Sequence, residues 1–563
     1  MLGTRLCIAA ALLATVSARP ALGQDEEPPI VDLEYAIHQA RYNEDDDLYT
    51  FKNIRFGEPP LGQYRFQPSV PVQSVNRTVN DGSFGHMCMQ SAPEWQLAVE
   101  SKKRGLPPYV VRKILEGNRK QNEDCLFLDV VVPRVLFAPP NAAGRDAPGA
   151  KEGAKGEAKG APVMVWIYGG AYVFGQKDDK TFNPAGLIAR SFERDGRGII
   201  YVALNYRLGM FGWLNVPGDD AIFPNVALQD QLLALEWVKK YIHLFGGDPD
   251  QVTVFGESAG GGSIMHHITG NGGNNNVPFQ QALIQSPGWQ TVLDLEANWA
   301  RTLETASKIA KREIRNGAEL ASLSSNMLFK INNKVVAESR ETTYTFGPSI
   351  DGGYVRDLPG VLLLKGQFSP NLGLMLGHNS NEGLIWTTES VDSPAGLRAK
   401  FDDVLPNIPP ENIDFLLGHL YPMPPQANYD TDIDRALFLF SEAFFTCNTR
   451  YLATAFGNMT WNYRFQVPPG QHAQDVPYTF FRGKKRSVIP SVAEQMQFYF
   501  TNFAMYGTPN QREAPIWPAY DDEARIVTFG EDGLGFDIDD TKNERCDYWQ
   551  TGEYRTIPDV AKK

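Results

Sequence analysis

The sequence predicts an α/β fold: one large, mostly parallel sheet with helices on both faces. Three observations carry that prediction. First, Val163-Met-Val-Trp-Ile167, Gly198–Tyr206 and Gln281–Ser286 are short, nearly unbroken apolar runs. A strand with one wet face alternates apolar and polar residues, so unalternating strands belong to a sheet covered on both sides. Second, Asn225–Phe245 places Leu228, Leu232, Leu235, Val238 and Ile242 at helical spacing between two such strands. Strand–helix–strand alternation builds parallel sheets, and these bind ligands beyond the carboxyl ends of their strands. Third, Val252-Thr-Val-Phe-Gly-Glu-Ser258-Ala-Gly-Gly-Gly-Ser263 reads as a β-branched run, a sharp turn and a helix start. Glycines stand on both sides of Ser258 because a side chain there would meet the strand or the helix.

The elements follow in chain order. Arg5, the apolar run Cys7–Val16 and the small-x-small site Ala21-Leu-Gly23 give residues 1–23 the form of an export signal, with a cut after Ala18 as the rival. Residues 31–70 alternate polar and aromatic positions between Pro/Gly turns, as in Asn53–Pro60 and Gly62–Phe66, so short strands are expected. The polar segment between Cys88 and Cys125 reads as a loop. Glu123–Pro133 is a strand. Residues 138–162 are filled by Pro, Gly, Ala, Lys and Glu and cannot bury enough apolar area to offset ordering, so this tract is expected to be an exposed insertion between two strands. Gly246-Gly-Asp-Pro249 ends the 225–245 helix. In the second half, Leu372–Gly383 is a strand ending in a polar turn with Glu382, and Trp461–Val467 is a strand followed by a loop holding His472. No internal repeat is found, and residues 24–563 read as one catalytic domain.

Composition narrows the class. The net charge is −13 with no Lys/Arg-rich run, which argues against nucleic acid as a partner. No segment reaches about 20 uninterrupted apolar residues, so no membrane span is expected. Loss of the signal removes Cys7 and leaves Cys88, Cys125, Cys447 and Cys546, an even number on an oxidising route. Four cysteines allow three pairings. The local one, Cys88–Cys125 and Cys447–Cys546, is preferred, with buried free thiols as the alternative. Asn76-Arg-Thr78 and Asn458-Met-Thr460 are glycosylation sequons.

The chemistry centres on Ser258. A hydroxyl becomes a useful nucleophile when a histidine takes its proton and a buried carboxylate orients that histidine. Ser258, Glu382 and His472 occur in the order serine, acid, histidine, each just after a strand. His38, His86 and His243 precede the serine. His266 and His267 lie on the helix that Ser258 starts, His378 is too close to Glu382, and His419 is in a helical segment. Asp351 and Asp475 are the rivals of Glu382. An oxyanion needs fixed N–H donors. The amide of Ala259 is one candidate, and those of Gly170 and Ala171, in the turn after strand 163–167, are the others.

These residues sit inside longer motifs that resemble the type-B carboxylesterase/lipase, or cholinesterase-like, α/β-hydrolases. Phe255–Gly261 resembles the serine motif of that family and Glu123–Val130 its second signature. Asn205–Gly212, Phe245–Pro249 and Asn381-Glu-Gly383 match further landmarks. The resemblance runs from about residue 30 to 550. It implies an α/β-hydrolase fold, a Ser258/Glu382/His472 triad, a Cys88–Cys125 bridge closing a loop near the site's mouth, and a C-terminal Cys447–Cys546 bridge. It implies no metal and no cofactor, and a small-molecule ester as partner. Two departures stand out. The family's Gly-Gly-Gly oxyanion turn reads Gly169-Gly170-Ala171, and the added methyl is expected to crowd bulky esters. Trp95 is too near Cys88 to be the family's choline-binding tryptophan, so the resemblance does not extend to a cholinesterase proper. The leading expectation is a secreted serine carboxylesterase. A lipase or sterol esterase, a natural-product tailoring hydrolase and a non-catalytic adhesion protein are the alternatives.

Overall fold

The computed structural model describes residues 27–117, 120–137, 160–274, 276–288, 294–423, 429–483, 485–511 and 514–555. Residues 1–23, read as an export signal, lie outside the described residues, as do residues 138–159 of the Ala/Lys/Gly tract.

The sheet has eleven strands: β1 (Arg41–Asn43), β2 (Leu48–Arg55), β3 (Phe127–Pro133), β4 (Ala161–Ile167), β5 (Ile200–Leu204), β6 (Gly247–Glu257), β7 (Gln281–Gln285), β8 (Gly373–Asn379), β9 (Trp461–Phe465), β10 (Arg525–Gly530) and β11 (Gly533–Ile538). Across the sheet they lie in chain order except that β5 stands between β3 and β4. The run β5-β4-β6-β7-β8-β9-β10 is parallel; β1, β2 and β3 add antiparallel pairings at one edge and β11 at the other. A second, three-stranded sheet joins Ile30–Asp32, Ala36–Gln39 and Asn76–Asn80.

Every residue of β3, β4, β5 and β7 is buried. Both faces of the central sheet are therefore covered, as the unalternating apolar runs predict. At its centre the Trp166 ring lies 4.8 Å from Phe255 and 4.9 Å from Phe480.

Four helices bear on the site. The disulfide Cys88–Cys125 is formed, and the segment it closes is more ordered than a loop: it holds α1 (Glu94–Arg104) and α2 (Pro108–Glu116). Their small core is Ala92, Leu97 and Val111. Each helix is too short to show several turns of apolar period, and Gly105, left-handed at φ 63°, with Pro107 and Pro108 breaks the pattern between them. α3 (Val226–Tyr241) buries Leu228, Leu235 and Val238. α4 (Ala259–Thr269) is buried on all sides, His266 and His267 included. Burial pushes both imidazoles down to about 3, so they remain neutral. The second disulfide, Cys447–Cys546, links segments 99 residues apart.

Candidate active site

Parallel pairing puts the carboxyl ends of β4, β6, β7, β8 and β9 along one sheet edge. Register places Ile167 beside Gly256, Glu257 beside Gln285, Gln285 beside Gly377, and Asn379 beside Phe465. The next residues of these strands hold the turn Gly169–Ala171, Ser258, Ser286, Glu382 and His472.

Ser258 sits at φ 58°, ψ −123°, a conformation costly for any residue with a Cβ. The strand and α4 enforce it. A Cβ on Gly260 would lie 2.0 Å from the carbonyl O of Ile167, and one on Gly256 would lie 2.7 Å from the same atom. Glycine is the residue that lets the helix approach β4 this closely. The Ser258 N–H donates to the carbonyl of Gln285 (3.1 Å), and its own carbonyl accepts from Gly262 N–H (2.8 Å) and Gly288 N–H (3.0 Å).

His472 Nε2 is 2.8 Å from Ser258 Oγ, and His472 Nδ1 is 2.5 Å from Glu382 Oε2. The partners fix the roles: Nδ1–H donates to the carboxylate and Nε2 accepts from the hydroxyl. The loop that carries His472 is tied to the turn that carries Glu382. Asn381 N–H donates to the carbonyl of Gly470 (2.7 Å) and Asn381 Nδ2 to that of Pro469 (2.6 Å). The Phe445 and Trp386 rings lie 4.3 and 5.1 Å from the imidazole and limit its rotation.

Glu382 is fully buried. Its Oε1 accepts from Ser286 Oγ (2.5 Å) and Asn379 N–H (2.6 Å). Burial pushes its carboxyl up, but the His472 charge and these hydrogen bonds outweigh burial and hold it below its ordinary value. Glu257, just before Ser258, is a second buried carboxylate. Its Oε1 stands 3.2 Å from His472 Nε2, and that atom has no hydrogen-bond partner among the described residues. Burial raises the Glu257 carboxyl well above the carboxylate range. Burial lowers His472, but the charges of Glu257 and Glu382 raise it further than burial lowers it. Each group's charge acts on the other across this contact, so with Glu257 neutral a main cause of the rise at His472 is gone.

Of the rival acids, Asp475 is buried nearby but accepts from Gln285 Nε2 (2.8 Å), Tyr463 OH (2.9 Å) and Asn379 Nδ2 (3.2 Å), not from the imidazole. Asp351 is engaged with Asn225 Nδ2 (2.7 Å) and the N–H of Gly353 (2.7 Å).

The turn after β4 is unusual. Gly170 has φ 114°, and a Cβ there would lie 2.0 Å from the carbonyl O of Phe174. Ala171 and Tyr172 follow at φ 52° and 67°. The carbonyl of Gly170 accepts from Val173 and Phe174 N–H, and Tyr172 OH is anchored on the carbonyl of Gly288 (3.0 Å). No backbone hydrogen bond among the described residues is donated by Gly170 or Ala171. Ala259 opens α4, so its N–H has no carbonyl one turn earlier to bond. Ala171, Ser258 and Ala259 line one cavity of about 250 Å³, with Trp386, Phe444 and Phe445 among its walls.

Sequence reasoning missed Glu257, Ser286 and Asn379. Glu257 lies inside the serine motif, and the other two stand at strand ends on the same edge; position was the available signal. Phe445 and Trp386 carried none. Away from this site, His378, Asp539 and Asp540 bring one ligand atom each within 4.8 Å of one another. Arg464 reaches Asp540 at 3.5 Å and also pairs with Asp537, so positive charge is already supplied there.

Relatives match nearly the whole chain. The family model described as "Carboxylesterase family" matches residues 29–549. Carboxylesterase patB of Aspergillus clavatus is 36% identical over 96% of this chain and 98% of its own length. Carboxylesterase patB of Penicillium expansum is 35% identical over 94% and 96%. The crystal structure of Aspergillus niger EstA superposes with a TM-score of 0.74 at 22% identity, covering 93% of this chain and 98% of that one, a likeness of fold. With nearly its full length matched, the chain belongs to the carboxylesterase family and is a carboxylic-ester hydrolase.

Proposed function

We propose that ester hydrolysis here runs through an acyl-enzyme on Ser258. The observation that carries this reading is the relay Ser258 Oγ–His472–Glu382, at 2.8 and 2.5 Å. His472 Nε2 takes the Ser258 proton as Oγ attacks the ester carbonyl. The alcohol leaves with that proton. Water then gives a proton to His472 and attacks the acyl carbon, and Ser258 is released as the proton returns to it. Glu382 keeps the imidazole in the right tautomer and stabilises its charged form. The N–H groups of Gly170, Ala171 and Ala259 receive the oxyanion; loss of one such donor typically costs about 3 kcal/mol of barrier.

Ser258→Ala is expected to reduce turnover of p-nitrophenyl acetate by at least about 10⁴-fold, with unchanged thermal unfolding. An organophosphate is expected to label the native protein and not the variant. Retained turnover in the folded variant overturns the assignment.

The protein is exported in this reading, residues 1–23 are removed, and residues 24–563 form one catalytic domain. Two disulfides and the described core, which runs from Val31 to Tyr554, support it. Asn76 is exposed on its strand, and Asn458 is half-buried with Nδ2 3.0 Å from Asp522 Oδ1. Intact mass of the secreted protein before and after glycosidase treatment tests the cleavage site and both sequons together.

A further inference from the structure

The cavity at Ser258 is apolar over much of its wall, through Tyr172, Tyr344, Phe346, Trp386, Phe444 and Phe445. Two arginines interrupt that wall. Arg301 belongs to α5 (Leu295–Ala310), and Arg340 follows α6 (Ser325–Ala337). The Arg301 guanidinium donates to Thr345 Oγ1 (2.7 Å), the carbonyl O of Glu338 (3.3 Å) and Asn298 Oδ1 (3.4 Å). Arg340 donates to the carbonyl O of Asp402 (3.1 Å). All these acceptors are neutral, and among the described residues neither guanidinium forms an ion pair with a carboxylate.

Several other half-buried or buried arginines carry a carboxylate partner, although half-buried Arg197 also donates to neutral acceptors, the carbonyl O of Met505 and Gln251 Oε1. Arg65 pairs with Glu123 at 2.8 Å, Arg207 with Asp230 at 2.7 Å, and Arg545 with Glu442 at 2.7 Å. Two acids share the cavity wall, and the charge of Asp294 acts on Arg301 without an ion pair between them. Asp294 caps α5 by accepting from Ala297 N–H (3.1 Å), and Asp403 stands 3.5 Å from Lys400 Nζ. Burial and the neighbouring charge of Arg340 both lower Arg301, while Glu338 and Asp294 act in the opposite sense. Two like charges held beside an apolar cleft are stabilised by an anion that accepts from both, and the planar guanidinium fork suits a carboxylate.

We infer that the cavity takes an ester that also carries a carboxylate, held by Arg301 and Arg340 while its apolar body lies on the aromatic wall. This substrate class rests on Ser258 being the nucleophile. Binding can be tested apart from turnover by titrating Ser258→Ala protein calorimetrically. The ligands are monomethyl adipate and acetoxyhexanoate, which place the carboxylate on the acyl and the alcohol side, with methyl hexanoate and hexyl acetate as neutral counterparts. At least one anionic ester is expected to bind about 10- to 100-fold tighter than its counterpart. That preference is expected to shrink with added salt and to fall toward one in R301Q and R340Q backgrounds. Arg340 is exposed, so R340Q keeps the test open if R301Q does not fold. Lys239→Gln, the same charge change on α3, leaves the preference in place. Equal affinities in both pairs, or a preference that survives both arginine substitutions, overturns the inference. Turnover of these esters by Ser258→Ala would instead overturn the nucleophile assignment, while the affinity ratio still judges the arginines.

Discussion

Two buried charge clusters lie at the same edge of the sheet and are built in opposite ways. In the first, Lys177 Nζ contacts Asp129 Oδ1 (2.6 Å) and Asp178 Oδ2 (3.0 Å), and Lys52 Nζ contacts Asp178 Oδ1 (2.6 Å). Asn53 N–H also donates to Asp129 (2.7 Å). Two cations face two anions, and the ring fixes the segment that follows the turn Gly169–Ala171. In the second, Glu257, Glu382 and Asp475 surround a single imidazole, and one oxygen of Glu257 lacks a hydrogen bond. The excess of carboxylates raises the affinity of that cluster for protons. Balanced charge holds backbone in place; unbalanced charge leaves a proton to move.

The largest effect should follow from breaking the unbalanced cluster at its best-anchored member. Glu382→Gln keeps shape but removes the charge and puts an NH2 donor where one carboxylate oxygen accepts, which favours the wrong imidazole tautomer, so kcat should fall by about 10⁴-fold with little change in melting temperature. The mirror-image substitution belongs to the balanced ring. Lys177→Met leaves Asp129 and Asp178 with one partially exposed lysine, and urea unfolding should show a loss of about 3–5 kcal/mol. The pH profile of the remaining folded enzyme should not move.

Glu257→Gln sharpens the contrast. A base works when deprotonated, so activity rises with pH through the His472 value. Removing the Glu257 charge removes a main cause of its elevation, so the acidic limb of kcat/KM should shift to lower pH. A limb that stays in place would show that Glu257 is already neutral throughout. Ser258→Gly relieves the backbone strain at φ 58° and should stabilise the inactive protein by about 1 kcal/mol in urea unfolding. Ala171→Gly should have the smallest effect on stability, since relief at φ 52° is offset by a more flexible unfolded chain. Its readout is wider acceptance of branched alcohols, and an unchanged profile would count against crowding by the methyl.

Much of this architecture is legible in sequence because parallel sheets convert chain order into spatial order. Ser258, Glu382 and His472 each follow a strand, and strands that neighbour in a parallel sheet deliver their next residues to one edge. Unalternating runs such as 163–167 announced burial on both faces. Three things were not legible. α1 and α2 are short and separated by Gly105 and two prolines, which hid their period. Ser286 and Asn379 hold Glu382 through distances set by register, which no local pattern encodes. Arg301 on α5 and Arg340 just after α6 reach one cavity wall through the packing of those two helices, and arginines without a partner in sequence look like any solvated surface.

The covalent step on Ser258 is central to this chemistry. The most direct measurement is peptide mapping by mass spectrometry after acid quench of the enzyme mixed with a p-nitrophenyl ester. An acyl-enzyme on Ser258 gives an acyl mass on the peptide containing that residue, rising with the burst of p-nitrophenol and absent from Ser258→Ala. Full turnover with no acyl adduct on that peptide, or an adduct on a different residue, would contradict it.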